Sequence, residues 1–91
     1  MVVIMHGKFK IIKVDNEILT VNYDGGGGIF DGLIEYNIIT KEYKVINYSS
    51  EDVPNGVFVK WLMSFPKFVY YAKESYNNQE PDNHNRVINC G

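Results

Sequence analysis

Gly32-Leu33-Ile34-Glu35-Tyr36-Asn37, the loop Ile38-Ile39-Thr40-Lys41, and Glu42-Tyr43-Lys44-Val45-Ile46-Asn47-Tyr48 have the pattern of two strands joined by a turn. Pairing Asn37 with Glu42 sets Tyr36 against Tyr43, Glu35 against Lys44 and Ile34 against Val45. An aromatic, a charged and an aliphatic pair arise from one register, and each such pair stabilises a sheet by about 0.2–1 kcal/mol. The stretch is therefore read as an antiparallel hairpin. Leu33 and Ile46 fall on the face opposite Ile34 and Val45, so the hairpin is apolar on both faces near its base. Burial on both sides accounts for that, and so does a dimer contact.

Upstream, Lys8–Lys13 and Glu17–Tyr23 alternate in the same way. Pairing Lys13 with Glu17 across the loop Val14-Asp15-Asn16 places Phe9, Ile11, Leu19, Val21 and Tyr23 on one face. Lys8, Lys10, Thr20 and Asn22 take the other, with Ile12 opposite Ile18. A slip of one residue would mix the two sets. Asn16 suits the left-handed conformation that such a loop needs.

Downstream, Ser49–Gly56 reads as loop, and then the apolar period lengthens to that of a helix. Phe58, Trp61, Leu62 and Phe65 stand at i, i+3, i+4 and i+7, and Phe65, Phe68, Val69, Ala72 and Tyr76 continue the stripe. Pro66 cannot occupy a helix interior without a kink or break. Ser64 is placed to cap a new helix beginning at Phe65. The expectation is one kinked helix or two short ones across 57–77, packed on one face of the sheet. Residues 78–91 are Asn-rich and polar. They read as a tail in which Val87-Ile88 has the composition of a short edge strand.

The architecture so derived is α+β: four antiparallel strands as two meander-like hairpins, covered on one face by the C-terminal helical segment, in one domain over 1–77. Ninety-one residues suit a single domain with a small core. Seven Tyr, five Phe and one Trp compensate in part, because each ring buries a large area.

The formal net charge is −2 and Arg86 is the single Arg, which opposes sequence-specific nucleic-acid reading. One cysteine excludes an intrachain disulfide and suits a reducing compartment. No run approaches the length of a membrane helix. Met1–Met5 lacks the basic flank and cleavage site of a signal peptide, so the chain is read as cytoplasmic. Abundant Ile, Asn, Lys and Tyr with little Arg fit a bacterial or phage source of low GC content.

Several constellations bear on function. Gly25, Gly26, Gly27 and Gly28 follow Asp24, and exposed glycine amides can cradle a phosphate or carboxylate. No Lys-Ser/Thr follows, and the run precedes a strand, so neither nucleotide-binding fingerprint is met. Asp24, Asp31 and Glu35 are candidate acid–base or cation-binding carboxylates, but no shaped set of ligands accompanies them. His6, His84 and Cys90 lack the spacing of a metal site. Lys8, Lys10 and Lys13 with Tyr23, Tyr43 and Tyr48 would make a base-stacking face if all lay together. Tyr36, Tyr43, Trp61, Tyr70 and Tyr71 provide more aromatic surface than one small core uses, which points to a partner or a second copy. No cofactor and no catalytic set is expected. The reading is a non-enzymatic interaction or regulatory module. An anion-binding glycine loop and a weak single-stranded nucleic-acid binder are the alternatives.

Overall fold

The computed structural model describes residues 5–26, 28–50, 52 and 56–90; Gly27 and the side chains of His6 and Cys90 lie outside the described residues. The elements are β1 (Met5–Asp15), β2 (Ile18–Asp24), β3 (Gly32–Asn37), β4 (Tyr43–Asn47), α1 (Val57–Ser64), α2 (Pro66–Asn78) and β5 (Arg86–Cys90). The strands form an antiparallel sheet in the order β4-β3-β2-β1-β5. The class is α+β as the alternation implied, with five strands in place of four. The fifth is the Val87-Ile88 segment, which pairs along β1 and buries Ile88 completely. The polar stretch after 78 therefore returns to the sheet. Arg86 anchors it, holding Asp82 through two 2.8 Å hydrogen bonds and lying 4.0 Å over the Tyr71 ring.

The second hairpin has the register read from its side chains: Tyr36↔Tyr43, Glu35↔Lys44 and Ile34↔Val45. Beyond it a bulge at Ile46 sets Leu33 opposite Asn47. The first hairpin differs. Its pairs are Ile11↔Val21 and Phe9↔Tyr23, two residues away from the expected register. A slip of two preserves the faces, so the same five side chains enter the core. Its turn is Asn16-Glu17, with Asn16 at φ 53, and the extra residue is absorbed by a bulge at Ile12. That bulge brings Val14 opposite Leu19 and against the core, where the sequence suggested a loop residue.

The core lies between this sheet face and the two helices. Phe68 meets Phe9 and Tyr36 edge-on at 5.3 and 5.2 Å, and Phe58 stacks on Tyr23 at 5.9 Å. The ring of Phe58 also crosses Gly7, where an added Cβ would stand 2.0 Å from it. Tyr23 lies over Gly32, its cross-strand neighbour, in the same manner. Phe65, at φ −71 and ψ 129, is extended, as the residue before a proline prefers. It separates two helices, and α2 starts at Pro66 rather than Phe65. The Ser64 hydroxyl caps nothing; it donates to the Trp61 carbonyl at 3.1 Å. α1 buries Phe58, Val59 and Leu62, while Trp61 and Phe65 pack on each other at 4.8 Å beside the core.

Candidate functional site

Two features stand outside the ordinary apolar core. The first is a buried polar cluster between the glycine loop and α1. Asp24, at the end of β2, is buried, and its carboxylate accepts hydrogen bonds from the amides of Gly26 at 2.8 Å and Gly28 at 2.9 Å. The Gly25 amide donates to Ser49 Oγ at 3.2 Å. Backbone amides aimed at one point do form an anion cradle here, as a glycine run permits. The anion it holds is the chain's own carboxylate. An external phosphate would have to displace Asp24, so this geometry gives the anion-binding reading of Gly25, Gly26 and Gly28 no vacant donors.

Asp52 completes the cluster. Its carboxylate accepts from the Tyr23 hydroxyl at 2.9 Å and from the amides of Phe58 at 2.8 Å and Val59 at 3.1 Å. It thereby serves the amides that open α1. The Tyr23 hydroxyl in turn accepts from the Ser49 amide at 3.0 Å. Burial pushes the Tyr23 phenol well above the usual tyrosine range. A neutral donor is thus held against Asp52. Asp52 carries no clear site signal in the sequence. An acidic residue ahead of a helical stretch is a capping signal, but Val53-Pro54-Asn55-Gly56 stands between it and the helix.

The candidate carboxylates do not converge. Asp31 is half-buried and holds Ser50, whose hydrogen bonds keep its carboxyl below the usual range. Glu35 is exposed on the outer face opposite Lys44. His84 lines a polar hollow of 190 Å³ with Glu74, Glu80, Asp82 and Arg86. Among the described residues no group of three or more His, Cys, Asp or Glu is placed to hold a metal ion. The Lys–Tyr stacking face also dissolves: Lys8 and Lys10 alternate with the inward Phe9 and Ile11, whereas Tyr23 is in the core beneath Phe58.

The second feature is the β4 edge. No residue of β4 is buried; Tyr43 is 37% and Ile46 46% exposed, and Val45 alone packs in part against the core. The Asn37 amide donates to the Glu42 carbonyl at 2.8 Å, which makes that pair hydrogen-bonded. Antiparallel pairs alternate, so Lys44 turns its backbone groups to β3 while Tyr43 and Val45 turn theirs to the free edge. On the helix side a groove of 440 Å³ runs beside this edge, lined by Tyr36, Lys41, Tyr43, Lys60, Met63, Ser64 and Val69.

The aromatic residues read as an interaction surface are dispersed. Tyr36 is a correction: it is buried against Phe68, so it belongs to the core. Trp61 is half-buried between Phe58 and Phe65. Tyr71 is half-buried under Arg86, on the β5 side. Tyr70 is 56% exposed and donates its hydroxyl to Glu74 at 3.0 Å. Tyr43 alone stands at the open edge. Comparison of the chain with protein-family models, curated proteins and solved structures gives no match.

Proposed function

We propose that the chain is a small non-enzymatic protein-interaction module that meets its partner along β4. One observation carries this reading: Tyr43-Lys44-Val45-Ile46 has strong strand propensity, yet none of its residues is buried and it offers the backbone groups of Tyr43 and Val45 to the outside. Such an edge is a template for an added strand. The glycine loop plays no part in it, because its described amides are engaged by Asp24 and Ser49.

Val45→Pro tests the reading. The Val45 amide points away from β3, so proline removes no hydrogen bond within the sheet and blocks an incoming strand. Affinity capture from the native host, with wild type and this variant matched for thermal stability, should return a protein that the variant loses. Identical capture by both baits would refute the proposal.

A further inference from the structure

We infer that the segment seated on β4 is an extended, acidic strand of another protein; this rests on the β4 reading above. The argument begins with the groove. Its floor is apolar, from Tyr36, Tyr43, Met63 and Val69, and its charged lining residues are Lys41 and Lys60, both exposed. No carboxylate is among the described lining residues. The hollow on the opposite face of the same edge contains Glu35, Glu42 and Lys44, so cation and anions already sit together there. The unmatched positive charge is therefore on the groove side. A strand added to β4 sends alternate side chains into the groove. An apolar one covers Tyr43 and Met63, and an acidic one at the next inward position reaches Lys41 or Lys60.

A second copy fits poorly, because the symmetric antiparallel registers centred on Tyr43, Lys44 and Val45 all fail. A two-fold axis at Tyr43 pairs Val45 with Lys41, whose φ of 63 takes it out of the extended region. An axis at Lys44 sets that cation directly against its own copy. An axis at Val45 runs the pairing through the bulge at Ile46. Lysines and bulges are the devices by which edge strands avoid their own kind. Here they leave the edge open to a strand of opposite charge.

The probes are three end-blocked nonapeptides of threonine and valine that carry glutamate, glutamine or lysine at two alternate inward positions. They are titrated into the isotope-labelled full chain and followed by amide chemical shifts. The glutamate peptide should shift Tyr43–Ile46 and the Lys41 and Lys60 resonances. It should bind about tenfold more tightly than the glutamine peptide at low salt, and the advantage should shrink as salt is added. The lysine peptide should be weakest, and Lys41→Glu with Lys60→Glu should invert the order. Equal affinity for glutamate and glutamine peptides would overturn the acidic partner and leave the edge reading standing. Unchanged binding to Val45→Pro would overturn the edge reading itself. No shift with the glutamate peptide overturns the inference, and so does a dimer seen by light scattering that Val45→Pro abolishes.

Discussion

Replacing Asp52 with alanine should be among the most damaging changes to a polar residue in this fold. The Asp52 carboxylate holds the Phe58 and Val59 amides at the start of α1 and accepts the buried Tyr23 hydroxyl. Losing the helix cap costs about 1 kcal/mol. Leaving a buried hydroxyl without its acceptor costs about 1–3 kcal/mol more. The expected destabilisation is about 2–4 kcal/mol, a large fraction of the margin of a small domain. Urea unfolding followed by Trp61 fluorescence measures it, with an unchanged slope showing that the two ends of the transition are the same. Tyr23→Phe separates the contributions. Alone it removes the bond to Asp52 and the one accepted from Ser49, at about 1–2 kcal/mol. In the Asp52→Ala background it also removes the orphaned hydroxyl, so the two changes should be coupled by about 1–2 kcal/mol. A single-variant loss below about 1 kcal/mol, or additive changes, would show that the cluster does not join loop to helix.

Further consequences follow from the packing. Ile88→Ala should cost about 2–5 kcal/mol by the same assay, because β5 places that side chain in the closed core; a loss within about 0.5 kcal/mol would mark residues 78–91 as an appendage. Gly7→Ala sets a Cβ 2.0 Å from the Phe58 ring and 2.8 Å from the Asp24 carbonyl and should cost about 1–3 kcal/mol, with partial relief in the Phe58→Leu background. Burial raises the Tyr23 phenol, so above about pH 10 the unfolded chain gives up a proton that the folded chain retains. Stability should then fall as pH rises past that value, and Tyr23→Phe should flatten the fall; equal alkaline slopes in both proteins would contradict this.

The faces of the sheet were more legible in the sequence than its registers. Side-chain alternation assigns Phe9, Ile11, Leu19, Val21 and Tyr23 to one face whether the pairing is shifted by two residues or not. It could not place the bulge at Ile12, because an isoleucine there reads equally well as the next residue of a regular strand. The second hairpin had three unlike pairs to fix its register, and they all formed. β5 was harder to read, since five residues in a polar stretch gain their burial from β1 and not from their own pattern.

The polar cluster and the edge strand show why site residues were harder to read than strands. A glycine run reveals that amides are free to converge, but not which carboxylate they converge on. Asp24, adjacent to the run and a carboxylate candidate in its own right, is the occupant of the cradle. The second hairpin carries apolar residues on both faces, but Tyr36 spends its share in the core and Tyr43 does not. The difference comes from what each ring meets: Phe68 packs edge-on against Tyr36, whereas Tyr43 stays exposed in a strand with no buried residue. A strand with β-forming residues, an open ladder and few core contacts gains less from its own fold than its neighbours do. An added strand would supply what β4 lacks, and the lysines of the flanking groove would select an acidic one.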